Sequence, residues 1–256
     1  MFETFWIIAA LVIGFLNLLA PVALRYSFRL AAQCKLVQVP DEDLPLEVAT
    51  IFRDHIPQMQ SLGFELAGCY DFGMLTKDTR SYVAYSCNRK SNDFANVTAQ
   101  ITSMDTASYF EFSTRFPNGK TVETNTNWIL PLTPANPDIT VFRFPKITEP
   151  KALYQLHNRL TEKHAGGLWA QGESKGEEIQ RLVTVAENYG PRHAKIGYMC
   201  LADGGEFYRL TWKGALLMTW RGLWPTSLLR RVVQRQAMES ELHSLESSGV
   251  TALQKA

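Results

Sequence analysis

Residues 97–128 read VTAQITSMDTASYFEFSTRFPNGKTVETNTNW, and this stretch decides the fold. Val97, Ala99 and Ile101 face one way while Asn96, Thr98 and Gln100 face the other. Phe110, Phe112 and Phe116 in turn oppose Glu111, Ser113 and Arg115. Alternation with a period of two marks strands with one covered face. Asn118-Gly119 is the strongest turn signal in the chain, because both residues tolerate the positive φ that a two-residue hairpin requires. Residues 121–128 return from it as a polar, Thr-rich strand that reads as an exposed edge.

Working outward, residues 64–72 and 80–88 supply two earlier strands, the second apolar on both faces. A short later strand, 139–144, follows a loop carrying Pro131, Pro134 and Pro137. Consecutive strands without intervening helices predict an antiparallel meander. Helices flank it. Val48, Ile51, Phe52, Ile56, Met59 and Leu62 form a helical stripe over residues 41–62, with a kink or a restart expected at Pro57. Leu153, Leu156 and Leu160 do the same over 149–164, and Ile179, Leu182, Val183 and Ala186 over 176–188, where Gly190-Pro191 interrupts. Residues 196–201 and 206–210 read as a hairpin, Thr211 can cap a helix starting at Trp212, and Pro225 restarts a helix to about residue 247.

Before all of this, residues 5–24 carry no charge, and only Gly14, Asn17 and Pro21 interrupt an apolar run. Twenty helical residues span roughly 30 Å, the hydrocarbon thickness of a bilayer. Trp6 and Tyr26 suit the two interfaces, and Glu3 is wrong for the basic start of a signal peptide. Arg25, Arg29 and Lys35 all follow the run, so the expected placement is the inner (cytoplasmic) membrane, single-pass, with the body in the cytoplasm. The expected fold class is therefore α+β: an N-terminal transmembrane helix, an antiparallel β-meander flanked by helices, then a helical C-terminal part with one β-hairpin. The expected segments are an anchor (1–25), the sheet with one preceding helix (41–148), a helical part ending in the hairpin (149–211) and basic, Trp-rich helices (212–247).

With 26 basic and 25 acidic residues the chain is nearly neutral, so bulk charge points to no polyanion. The charge is unevenly placed. Lys213, Arg221, Arg230, Arg231 and Arg235 lie between Trp212 and Met238 with no acid among them, and the body is acidic. Cys34, Cys69, Cys87 and Cys200 form no C-x-x-C pair and read as free thiols, though Cys69 and Cys87 could meet on neighbouring strands.

Residues 208–215, Tyr-Arg-Leu-Thr-Trp-Lys-Gly-Ala, follow a Gly204-Gly205 turn. The Gly197–Leu217 region resembles the wing hairpin and following helix of winged-helix regulators, where tyrosine-x-leucine-threonine-x-x-glycine often occurs. That resemblance implies a membrane-tethered DNA-binding regulator. The departure lies in the preceding region, where Glu177, Glu178 and Glu187 offset Arg181, Arg192 and Lys195, so nucleic acid is not the expected partner. The whole chain also resembles uncharacterised bacterial single-pass membrane-anchored proteins with an α+β middle and an ending like Trp212-Lys213-Gly214-Ala215 through Trp224-Pro225. That resemblance implies a layout and no activity.

Catalytic signatures are missing. There is no G-x-S-x-G, G-x-G-x-x-G or P-loop, and no cofactor or metal site is expected. Asp71, Asp78 and Glu111 are scattered acids that nothing in the sequence pairs. His157 and His164, seven apart, read as a solvated helix face, and His55 as a packed histidine. The segment to watch is membrane-interfacial: Trp212, Trp220 and Trp224 with Arg221, Arg230, Arg231 and Arg235. Trp212, Leu216, Trp220 and Leu223 share one stripe, next to arginines that anionic lipid head groups would attract. The alternative is that these tryptophans pack into the core. The expectation is a membrane-anchored cytoplasmic binding or scaffolding module, with the bilayer and an unknown protein as partners. An enzyme acting on a lipid-linked or small substrate is the alternative.

Overall fold

The computed structural model describes residues 2–33, 36–76, 79–103, 105–174, 176–202 and 204–247. In chain order its elements are α1 (Phe2–Ser27), β1 (Leu30–Ala31), β2 (Val37–Gln38), α2 (Leu46–Ser61), β3 (Glu65–Thr76), β4 (Thr79–Asn88), β5 (Asp93–Thr102), β6 (Thr106–Arg115), β7 (Thr121–Asn125), β8 (Ile139–Arg143), α3 (Pro150–His164), α4 (Glu178–Lys195), β9 (Met199–Leu201), β10 (Phe207–Leu210), α5 (Trp212–Gly222) and α6 (Thr226–Ser247). The chain divides into a sheet unit, formed by residues 35–130, 135–183 and 234 onward, and a helical unit, formed by residues up to 34, 131–134 and 184–233.

The sheet unit holds seven strands in the order β2-β3-β4-β5-β6-β7-β8. From β3 to β7 each strand pairs antiparallel with the next in the chain. β8 runs parallel to β7, which corrects the expectation of a wholly antiparallel meander. A parallel neighbour needs a crossover of about a dozen residues, and the proline-bearing stretch between Asn125 and Ile139 is long enough. β7 is therefore not an edge strand. Thr121, Val122, Thr124 and Asn125 are all buried.

The hairpin between β6 and β7 also differs from expectation. The Phe116 N–H donates to the Lys120 carbonyl (2.9 Å), and the Gly119 N–H to the Phe116 carbonyl (2.9 Å). Pro117, Asn118 and Gly119 thus form a three-residue loop with Gly119 at positive φ, not a two-residue turn. This moves the register by one: Glu111 faces Asn125, and Ser113 faces Glu123.

One sheet face is sealed by α2, α3 and the distal part of α6. Phe110, Phe112, Val97 and Ala99 meet Val48, Phe52 and Met59 of α2 and Leu153, Leu156 and Leu160 of α3, with Leu245 from α6. These helical residues recur at three and four, as a helix burying one stripe requires. Pro57 sits within α2 without ending it, and Pro150 opens α3 at a position where no backbone donor is lost. The other face has an apolar patch of Tyr70, Val83, Tyr85, Cys87 and Phe94, packed by Ile179 and Leu182 of α4. Cys69 and Cys87 lie on opposite faces and are buried free thiols. Cys69 aligns with Ala84, and Cys87 with Glu65 and Phe94. Burial and the Asp41 carboxylate push the Cys69 thiol up to about 12. Cys34 and Asp78 lie outside the described residues.

The helical unit is built on a three-stranded sheet, β1-β10-β9. Tyr198, Met199, Leu210, Ala215 and Met218 form its core, joined by Leu24 and Phe28 at the end of α1. Thr211 caps α5 by accepting from the Gly214 N–H (3.0 Å). α4 runs through Gly190-Pro191 where an interruption was expected. Pro191 is exposed, and Gly190 is buried against the Tyr208 ring, where a Cβ would come within 2.3 Å of a ring carbon. This glycine answers a close approach rather than a helix end.

Among the described residues no helix is long and apolar enough to cross a membrane. This overturns the N-terminal transmembrane helix, and with it the single-pass placement in the inner membrane with a cytoplasmic body. Most side chains of the first half of the charge-free run lie outside the described residues. From Gly14 onward α1 carries Asn17 and Arg25, and its last turns are committed to protein. Pro21 is buried, and Leu24 packs into the core of the helical unit.

Candidate functional site

Three places stand out by chemistry: an apolar helical surface, a buried histidine chain and a pair of carboxyl groups.

The first contains the residues singled out from sequence. α5 turns Ala215, Met218 and Thr219 inward and leaves the stripe of Trp212, Leu216 and Trp220 outward. Trp212 is 53% exposed, Trp220 64% and Trp224 59%. Leu228, Leu229, Val232 and Val233 at the start of α6 are exposed as well. α1 packs against α5 and exposes Phe15, Leu18, Leu19, Val22 and Tyr26. The Tyr26 and Trp212 rings meet edge-on at 6.5 Å, and the Arg25 guanidinium lies 6.0 Å from the Trp212 ring.

The arginines split by role. Arg230 donates to the carbonyls of Arg221 (3.1 Å) and Pro131 (2.8 Å), which ties two segments together; burial and Arg221 lower its pKa. Arg221 reaches the Leu132 carbonyl at 3.5 Å. Arg235 pairs with Glu239 one turn on (2.7 Å) in the sheet unit. Arg231 is exposed. Lys213 is exposed too, and its Nζ donates to the Ile196 carbonyl at 2.9 Å. A set of arginines that looks uniform in sequence is therefore partly structural.

The second place contradicts the solvated-face reading of His157, which is fully buried. Its Nε2 lies 2.9 Å from Thr114 Oγ1 and its Nδ1 3.0 Å from Thr124 Oγ1. Thr114 donates to Asp93 Oδ1, and the Tyr154 hydroxyl to Asp93 Oδ2 at 2.8 Å. Because the Thr114 proton is committed to Asp93, its oxygen must accept from His157 Nε2–H, and Nδ1 must accept from Thr124. One neutral tautomer satisfies the whole chain. Burial lowers the His157 pKa to about 4, against a smaller upward pull from Asp93. His164 is exposed and meets Glu241 at 3.0 Å. His55 packs against the Phe110 ring as expected, and burial lowers its pKa.

The third place is on the other face of the sheet. The three-residue hairpin puts Glu111 of β6 and Glu123 of β7 on one face, diagonal to each other. Asn96 and Asn125 each donate an amide N–H to Glu111, at 3.1 and 3.0 Å, one to each carboxyl oxygen. Burial raises the Glu111 pKa, opposed by these amides and by Arg143 and Arg181. Burial, and then the charge on Glu111, pushes Glu123 up to about 8. This face therefore holds two carboxyl groups whose pKa values burial raises, and both oxygens of Glu111 accept from amides. Such a pair can donate and accept protons in turn. Arg181 stacks on Phe94 at 4.3 Å beside them. Sequence reasoning passed over Glu123 because the polar side of these strands read as solvent-facing.

The acid pair makes a prediction of its own. Glu123 has a folded-state pKa above its unfolded one, so its contribution is complete below about pH 4.5 and is lost as pH rises through about 8. Glu123→Gln should remove that slope. Because the side chain is only half-buried, we expect the variant to gain about 1–2 kcal/mol over the parent at alkaline pH and nothing at pH 5. Urea titrations at both pH values measure this, and equal stabilities at the alkaline pH would mean that Glu123 ionises freely.

Among the described residues no group of three or more His, Cys, Asp or Glu side chains could hold a metal ion. Asp71 is paired with Arg80. Glu178, which opens the helix preceding the wing-like hairpin, is buried and paired with Arg89, so it does not face a nucleic acid. Comparison with protein-family models, curated proteins and solved structures returns no match.

Proposed function

We propose that the chain is a binding module that docks on the surface of an anionic lipid bilayer through α5, the start of α6 and the adjoining face of α1. One observation carries this reading: three tryptophans, each more than half exposed, stand beside exposed aliphatic residues on packed helices. Exposed apolar patches of this kind mark interaction surfaces. At ~150–250 Å² per tryptophan side chain, the exposed parts amount to roughly 300–400 Å². At ~25 cal/mol per Å², removing them from water is worth about 8–10 kcal/mol before orientation costs. Lipid fits better than a protein groove because the segment has no acid between Trp212 and Met238, and Lys213 and Arg231 are exposed within it. Each basic residue near an anionic surface adds about 1 kcal/mol.

The test uses the full chain with vesicles of phosphatidylglycerol and phosphatidylcholine, against phosphatidylcholine alone. Tryptophan emission should shift blue with the anionic vesicles and less with the neutral ones, and the shift should shrink as salt rises. Replacing Trp220 and Trp224 together by serine should weaken vesicle partitioning by roughly tenfold or more with little loss of stability, since neither side chain is in the core. A parent chain indifferent to both vesicle types overturns the proposal, as does a double variant that binds like the parent.

The Glu111–Glu123 pair supports a second reading, an enzyme using acid–base chemistry on a small substrate. Carbon-detected titration of the glutamate carboxyl groups tests it. If both titrate in the ordinary carboxylate range, the reading fails.

A further inference from the structure

A cavity of about 350 Å³ opens in the sheet unit where α3 ends, and its wall is mixed: Phe116, Leu168 and Trp169 give it apolar surface beside several polar groups. Ser91, Asp93, Asn158, Thr161 and Glu162 line it with hydroxyl, amide and carboxyl groups, and no Lys, Arg or His is among the lining residues. Anionic ligands are thus disfavoured. The volume is at the lower end of the range for small-molecule sites, with room for one or two small rings.

The rim holds Trp169, which is 88% exposed. Its loop is tied down on both sides. The Leu168 N–H donates to the Ala165 carbonyl (3.1 Å), the Gln171 N–H to the Arg115 carbonyl (2.8 Å), and the Asn92 amide to the Ala170 carbonyl (3.4 Å). An indole held out from a pinned backbone presents a flat surface, and stacking on it orders only its two side-chain torsions. Inside the cavity, Asp93 is held equally firmly. Each of its oxygens already accepts one hydrogen bond, from Tyr154 or Thr114, which leaves lone pairs for further donors. Ser91 is positioned by the Tyr154 hydroxyl at 3.1 Å.

We propose that this cavity binds a neutral saccharide, with Trp169 stacked on the C–H face of a sugar ring and Asp93, Ser91 and Asn158 meeting its hydroxyl groups. A sugar offers both requirements at once. Its ring has an apolar face for an aromatic plate, and its rim carries hydroxyls that donate to a carboxylate and accept from an amide. The site belongs to the sheet unit and stands or falls apart from the lipid-docking surface.

The experiment titrates the full, isotope-labelled chain with glucose, galactose, mannose, N-acetylglucosamine and their common disaccharides to tens of millimolar, following the Trp169 indole N–H. At least one sugar should shift that signal, with a millimolar dissociation constant. Trp169→Ala should weaken this binding by roughly tenfold or more. Asn158→Ala, at an exposed side chain, should weaken it as well. Trp128→Ala removes another exposed tryptophan that does not line the cavity, and should change nothing. The proposal is overturned if no sugar in the series moves the Trp169 signal, or if binding survives in Trp169→Ala. It is also overturned if tetramethylammonium binds there while the sugars do not, since the indole and the two carboxyl groups would then serve a cation.

Discussion

Replacing Gly214 by alanine should cost the helical unit about 3 kcal/mol or more, the largest effect expected of so small a change. A Cβ there would stand 1.9 Å from the Tyr198 carbonyl oxygen and 2.9 Å from its carbon. The obstacle is backbone, so no side chain can rotate away. The Tyr198 carbonyl is itself fixed, because it accepts from the Thr211 N–H (3.1 Å), while the Tyr198 N–H donates to the His193 carbonyl (2.9 Å). The Tyr198 hydroxyl adds a bond to the Leu132 carbonyl at 2.8 Å. Alanine is the better helix former by ~1 kcal/mol, so propensity alone predicts a gain, and steric exclusion reverses the sign. Gly222, at the other end of α5, is the control. Its added Cβ would meet only the Leu132 side chain, at 3.4 Å, which can yield. Gly222→Ala should be neutral or slightly stabilising. Thermal melts by circular dichroism separate the two, and a Gly214→Ala protein melting with the parent would mean that α5 does not pack this closely.

Acid should destabilise the sheet unit through His157 by about 3 kcal/mol between pH 6.5 and pH 4. His157 is buried and neutral, with its folded-state pKa lowered to about 4. The unfolded chain therefore binds a proton first. The contribution is complete above about pH 6.5 and is lost progressively as pH falls toward 4. His157→Leu should flatten this part of the profile. At neutral pH the same variant should lose about 2–4 kcal/mol, because the Thr124 hydroxyl would lose its acceptor and the Thr114 oxygen its donor, both against an apolar side chain. Urea titrations across the acid range measure both effects. A parent whose stability does not change between pH 6.5 and pH 4 would show that His157 is not sealed from water.

The legibility of this chain follows from which interactions are local. Helical stripes in α2 and α3, the strand alternation of β5 and β6 and the Thr211 cap depend on residues a few positions apart, and they could be read directly. His157 could not. It sits in the buried stripe of α3 with Leu153, Leu156 and Leu160. Only the arrival of Thr114 and Thr124 from two strands makes a polar ring tolerable there. Gly190 misled for a related reason. Beside Pro191 it looks like a helix end, but the Tyr208 ring that requires its missing side chain comes from a strand eighteen positions on.

The amino-acid sequence by itself determined the α+β class, the succession of strands and most helices, and the concentration of tryptophan and arginine after residue 211. Period and capping are encoded within a few residues. Tertiary structure alone decided which of those arginines are structural, since Arg230 is held by carbonyls from outside its own helix. It also decided that the end of α1 packs on protein, because Leu24 finds its partners in Tyr198, Met199 and Leu210 near the far end of the chain. Most sharply, it decided the acid pair. A two-residue turn at Asn118-Gly119 would place Glu111 and Glu123 on opposite faces of the sheet. The three-residue loop that includes Pro117 shifts the register by one and brings them to the same face. A strand's side chains alternate with period two, so a single residue in a turn exchanges the faces of everything that follows.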